Sequence, residues 1–131
     1  MIFIDTGAFI ARYMKYDQYH QHAMKKWGSI LKNPDLYTSN HVIDETITFL
    51  LRRTDPDFAV EKAEILLSTD VIHTLRSDQE DEQEALEILK RYKDQKLSFT
   101  DCITSALMKR YRIDRIFTFD SHFRLFGYHV L

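Results

Sequence analysis

Ile2-Phe3-Ile4-Asp5-Thr6-Gly7 opens with three apolar β-formers and closes on an acid, a hydroxyl and a glycine. A short apolar run without alternation predicts a strand buried on both faces, the kind that parallel sheets contain. A second stretch repeats the pattern, with Ile116-Phe117-Thr118-Phe119 running into Asp120-Ser121. Parallel sheets carry their sites at the carboxyl ends of their strands. If the two runs are parallel neighbours, Asp5 and Asp120 emerge at the same rim. Two carboxylates held close repel, so one takes up a proton or a cation lies between them. A divalent, oxygen-preferring ion such as Mg²⁺ or Mn²⁺ is the simplest resident. The plainer alternative is that each acid starts a turn or caps the next helix.

Outward from these runs the chain alternates strands with helices. Ala8 to Met14 reads as a short helix. Asp17 is placed to cap another through about Leu31, with Ala23, Trp27 and Ile30 at helical spacing, until Asn33-Pro34-Asp35 breaks it. Leu36-Tyr37-Thr38 is a short strand. Asn40 is a candidate N-cap for a helix from about His41 to Arg53, whose stripe of Ile43, Ile47 and Leu50 is widened by Val42, Thr46 and Leu51. The turn Thr54-Asp55-Pro56-Asp57 caps a helix over Phe58 to Leu67, and Val71 to Leu75 is a strand. Ser77, with Glu80 at capping-box spacing, starts an acidic helix through about Lys93. Ser98 caps another through about Tyr111, and Tyr128 to Leu131 ends the chain as a short strand. This order predicts an α/β fold with a mostly parallel sheet covered on both faces.

At 131 residues the length favours one domain over 1–131. The single cysteine, Cys102, excludes an internal disulfide framework and a Cys-rich zinc site. No apolar run approaches the roughly 20 residues of a membrane span, and no signal peptide is evident, so the expected address is the cytoplasm. A net charge of −2 excludes a basic coat for unspecific duplex binding. A local basic patch beside a metal site would still serve nucleic acid.

Two further acids are candidates. Asp101 stands in Ser98-Phe99-Thr100-Asp101, a capping-box spacing that accounts for it without function. By helical periodicity Phe99, Ile103, Ala106 and Leu107 share a face, with Asp101 opposite. Glu45 lies opposite the Ile43/Ile47/Leu50 stripe, where periodicity alone predicts a solvated position, and Asp44 is its rival as the acid reaching inward. His20 and His22 are two apart on a helix and do not share a face, which argues against a zinc pair. Among the basic residues Arg52 is the best candidate for a phosphate contact, since it lies on the Glu45 side of its helix. His122 follows Asp120 closely enough to touch a substrate. The acidic run from Asp78 to Glu87 reads as a solvated face.

Four segments together resemble the PIN-domain nucleases, and within them the VapC-type toxins of prokaryotic toxin–antitoxin pairs. They are Ile2-Phe3-Ile4-Asp5-Thr6-Gly7, Thr38-Ser39-Asn40-His41-Val42-Ile43-Asp44-Glu45, Leu97-Ser98-Phe99-Thr100-Asp101-Cys102 and Phe117-Thr118-Phe119-Asp120-Ser121-His122-Phe123. The family has an acid after the first strand, a Glu on a later helix, an Asp opening a helix, and an acid or Asn after a late strand. Cys102 departs from the Ala usual after the third acid. The resemblance implies a three-layer α/β/α PIN-like fold and a ribonuclease dependent on Mg²⁺ or Mn²⁺. It also turns Glu45 into an acidic cleft. Asp5, Asp101, Glu45 and Asp120 are then the metal ligands and catalytic acids, with Thr6 and Thr118 supporting them by hydrogen bonds. It further implies an RNA substrate, a homodimer and a cognate antitoxin. A non-catalytic PIN-like nucleic-acid-binding module is the alternative. A haloacid-dehalogenase-type phosphotransferase needs a second acid where Gly7 stands, and a receiver domain wants a Lys at the late strand end.

Overall fold

The computed structural model describes residues 1–131. Five strands form one sheet: β1 (Ile2–Ile4), β2 (Leu36–Ser39), β3 (Ile72–Leu75), β4 (Arg115–Phe117) and β5 (His129–Val130). Their order is β3-β2-β1-β4-β5 and every pairing is parallel, so the sheet is wholly rather than mostly parallel. The helices are α1 (Thr6–Tyr13), α2 (His20–Ile30), α3 (Asn40–Arg53), α4 (Pro56–Ser68), α5 (Gln79–Arg91), α6 (Phe99–Arg110) and α7 (His122–Leu125).

The chain walks from β1 outward to β3, then crosses back over the sheet to β4 and β5. Right-handed crossovers therefore lay α1–α4 on one face and α5–α7 on the other, giving three layers. Aromatic side chains mark both faces. Trp27 of α2 packs 5.4 Å from Phe9 and 5.5 Å from Phe117, and its indole Nε1 donates to the Ala8 carbonyl. On the other side Tyr92 packs on Phe126 and Phe126 on Phe123. Phe3, Ile4, Ile116 and Phe117 are all fully buried, as strands covered on both faces must be. The sheet's direction of travel reverses between β1 and β4, and the crevice beyond their carboxyl ends is where such folds bind ligands.

Several boundaries differ from the sequence expectations. α3 is capped by Ser39, whose hydroxyl accepts from the Val42 N–H; Asn40 is already helical. α5 starts one residue later than expected, with Asp78 as cap and Asp81 completing the box in place of Ser77 and Glu80. Asp17 does not cap α2; its carboxylate accepts from the Tyr19 N–H in a tight turn ahead of the helix. β4 ends at Phe117, so Asp120 lies beyond the strand instead of at its last position. Phe99 is exposed, while Cys102 through Met108 are all buried. α6 is enclosed on nearly every side because α5 covers it, the sheet lies beneath, and α3 reaches it at one end.

Candidate active site

β1 and β4 pair with Ile4 opposite Phe117, so the next pair in register is Asp5 and Thr118. The late acid therefore does not mirror Asp5 as the repeated pattern suggested; a threonine does. The Thr118 hydroxyl donates to Asp5 Oδ2 at 2.7 Å and accepts from the Asp120 N–H at 3.0 Å. One buried hydroxyl thus ties the first acid to the loop that carries the last. Asp5 occupies the N-cap position of α1, but its side chain makes no capping bond. The carboxylate is turned into the crevice instead.

Asp101 does both things that its position allows. Ser98 Oγ accepts from the Asp101 N–H, and Asp101 Oδ2 accepts from the Ser98 N–H, closing a full capping box on α6. The same carboxylate lines the crevice. Glu45 arrives from α3. The buried face of that helix is Val42, Ile43, Thr46 and Leu50, with Leu51 exposed. This centres the core side nearer Val42 and Thr46 than the sequence stripe did. Glu45 then falls on the flank of the buried face, half-buried and beside the crevice, while Asp44 points to solvent.

The result is a cleft of about 510 Å³ lined by Asp5, Thr6, Glu45, Asp101, Thr118 and Asp120, together with Gly7, Ser98, Phe119 and Ser121. No lysine or arginine lines it. Its electrostatics follow from that composition. The Asp5 carboxyl is pushed up to about 7, chiefly by burial and further by Asp101 and Glu45, against the Thr118 hydrogen bond. Asp101 is raised as well, by burial first and by the charges of Asp120 and Glu45, while its bonds to Ser98 pull the other way.

Of the supporting residues, Thr6 has a buried hydroxyl with no hydrogen-bond partner at the edge of this acid set. His122 stands against Asp120. Its backbone N–H donates to Asp120 Oδ1 at 2.8 Å, which orients that carboxylate, and its ring Nδ1 lies 2.6 Å from the same oxygen. Arg52 is exposed and lines a neighbouring cavity that shares Glu45 with the cleft. His20 bonds the Ala11 carbonyl and His22 lies edge-on to Phe119, so the two histidines are parted.

The donor set fits a hard divalent cation. All its donors are oxygens, the charges are acidic with no protein cation among them, and Thr6 Oγ1 is left over for a further hydrogen bond. No three His, Cys, Asp or Glu side chains are gathered tightly enough to hold an ion by themselves. The carboxylates stand around the cleft, as suits an ion that keeps several of its own waters. Two carboxyls raised by burial and mutual repulsion are also groups that a cation would return to the ionised state.

Comparison with known proteins gives a consistent result. The family model described as PIN domain matches residues 2–127. The chain is 37% identical over 128 residues to the 23S rRNA-specific endonuclease VapC20 of Mycobacterium tuberculosis, covering 98% of this chain and 95% of that protein. The crystal structure of VapC20, described as a sarcin-ricin loop cleaving toxin, superposes with a TM-score of 0.90 over 98% of this chain and 96% of that one. A VapC ribonuclease of Archaeoglobus fulgidus is 31% identical over 131 residues, covering 93% of this chain and 78% of that protein. VapBC2 of Rickettsia felis, solved with a DNA fragment from its promoter, shares the fold with a TM-score of 0.73 at 14% identity, covering all of this chain and 98% of that one.

Proposed function

The chain belongs to the PIN-domain family, and from that premise we propose that it is a metal-dependent endoribonuclease of the VapC type, the toxin of a toxin–antitoxin pair. The observation that carries the reading is the convergence of Asp5, Glu45, Asp101 and Asp120 on one cleft without a protein cation. Relatives named as ribonucleases, one of them 37% identical over almost the full length of both chains, support it.

Asp5 and Asp101 would hold a Mg²⁺ or Mn²⁺ ion directly, with Glu45 and Asp120 completing its surroundings. Held by these residues, such an ion would supply charge neutralisation toward a phosphodiester and Lewis-acid activation of water. The chain's own groups do the positioning. Thr118 orients Asp5 and the Asp120 loop together, and Thr6 offers a free hydroxyl to the cleft. Asp101 is held at the start of α6 by the cap that it helps to form. His122 keeps Asp120 in one orientation. RNA is the substrate of this reading, a cognate antitoxin and a second copy of the chain are its partners, and the cytoplasm is its address. No helix is long and apolar enough to cross a membrane.

Cleavage of total cellular RNA, including folded tRNA and rRNA, tests the proposal in Mg²⁺, in Mn²⁺ and in chelator. Cuts should require the metal and should fall by at least about 100-fold in Asp5→Asn and in Asp101→Asn. Cuts that persist in either variant would remove the ligand assignment. Metal binding without any cleavage would favour the non-catalytic binding module.

A further inference from the structure

The cleft is flanked by two cavities, and each carries arginine. One, of about 410 Å³, shares Glu45 with the cleft, and its other lining residues include Asp44, Phe49, Arg52 and Arg53. The other, of about 230 Å³, shares Thr118, Phe119, Asp120 and Ser121 with the cleft and adds His22 and Arg124. Arginine thus stands on both sides of a cleft that has no cation of its own, beside the acids Asp44 and Glu45 in one cavity and Asp120 in the other. Arg52, Arg53 and Arg124 enter none of the ion pairs in the chain. Arg110, by contrast, is held by Asp78 and Asp81. The Arg53 guanidinium lies 5.4 Å over the Phe49 ring, which restricts it without using its hydrogen-bond donors.

We propose that the acidic cleft is the middle of a longer trough, in which Arg52 and Arg53 on one shoulder and Arg124 on the other hold the phosphates flanking the cut in a single strand of RNA. The nature of the ligand rests on the nuclease reading; the trough rests on the side chains. A nucleic-acid strand carries a charge at every nucleotide, and its contacts with phosphate set register and orientation. An acid cluster repels all of those charges. A cation held by the four acids would answer the central phosphate, which leaves the neighbouring phosphates to the protein's own side chains. Arginine suits that task because its planar fork binds phosphate at two points. The lining also favours nucleic acid over a protein partner. Only one apolar residue lines the cleft and only one lines the cavity of Arg52 and Arg53; the more apolar groove, at Tyr13, Met14, Tyr16 and Phe58, adjoins that cavity at Phe49 and Arg53.

The test is the salt dependence of RNA binding, which is separate from cleavage. A single-stranded RNA of about 20 nucleotides is titrated in Mg²⁺, at several KCl concentrations, with the Asp5→Asn protein, which spares the probe. Each phosphate contact contributes about 0.7 to the slope of log K against log salt for a single strand. Adding Arg52→Gln and Arg53→Gln together should lower the slope by about 1.4, and adding Arg124→Gln by about 0.7. Arg91→Gln with Lys93→Gln removes as much charge as the first pair from positions lining none of the three cavities, and should leave the slope unchanged. A slope unmoved in the shoulder variants overturns the proposal, and so does an equal fall in the control pair. The nuclease reading fails separately. If the unsubstituted protein leaves RNA intact while the shoulder variants lose slope as expected, the trough stands as a binding surface. If it cuts RNA while the slopes stay put, the trough is wrong and the nuclease stands.

Discussion

Asp5 is 5% exposed and faces Asp101 and Glu45, so its charge is the hardest in the molecule to keep. Its carboxyl ionises at about 7 in the folded chain against 3.8 for the free group. Below 3.8 the group is protonated whether folded or unfolded and pH has no effect through it. Between 3.8 and 7 the unfolded chain releases the proton and the folded one retains it, so stability falls as pH rises, and above 7 the full penalty is present. In chelator, thermal midpoints should drop across that window, and Asp5→Asn should flatten the drop and melt higher at pH 8. A midpoint independent of pH would show that Asp5 ionises normally. Asp101 permits a cleaner separation of roles. Asp101→Asn retains an oxygen for the Ser98 N–H but loses the charge, so stability should change by less than about 1 kcal/mol while cleavage is lost. Calorimetry and the RNA assay on the same sample decide it. At this scale the acids were legible as residues, but their reasons were not. Capping explained Asp101 fully and its exposure to the cleft added to that explanation. Thr118 appeared as one residue of a strand, because the register that sets it against Asp5 depends on where β4 stops.

The elements show the same division. The alternating order of strands and helices, the parallel sheet and the Ser98 cap could be read from periodicity and turn chemistry. The caps at Ser39 and Asp78 could not, because two neighbouring residues each had a suitable side chain and tertiary packing chose between them. Periodicity alone set Glu45 in solvent for a related reason, where the family resemblance set it in the cleft. Periodicity finds the direction of greatest hydrophobicity, and α3 is rotated from that direction because it packs against several elements at once. The capping box of α5 is joined to the far end of α6 by Arg110, which lies 2.6 Å from Asp81 and 3.1 Å from Asp78. Arg110→Met and Asp81→Asn should each lower the melting temperature, and the double variant should lower it by less than their sum. Full additivity would show that the pair does not couple the helices. Between α5 and α6, Lys96 is held at φ 54°, a left-handed conformation that costs an L-residue about 1 kcal/mol. Lys96→Gly should recover a good part of that, measured by denaturant midpoint, with cleavage unaltered.

In the whole molecule, net charge and site charge are separate matters. A balance of −2 says little about a protein that gathers four acids in one cleft with no lysine or arginine among them, and whose Arg52, Arg53 and Arg124 line the neighbouring cavities. The fold keeps the acids together against their repulsion, and a cation that binds only the folded cleft should stabilise the chain as a whole. At a concentration 100 times its dissociation constant, Mg²⁺ or Mn²⁺ should add about 2.7 kcal/mol. The gain should be largest at pH 8, where the acids are most reluctant, and should shrink in Asp5→Asn. An equal gain in that variant would move the ion away from Asp5.

The bond between Thr118 and Asp5 joins residues 113 apart, and β1 lies between β2 and β4. A chain emerging from the ribosome therefore exposes its first acid long before the partner that holds it. Until residues 115–120 have been synthesised, β4 does not exist, Thr118 and Asp120 are absent, and the cleft has no far wall. The order of the strands makes the assembled cleft a late product of folding, since no amino-terminal stretch short of β4 contains all its walls.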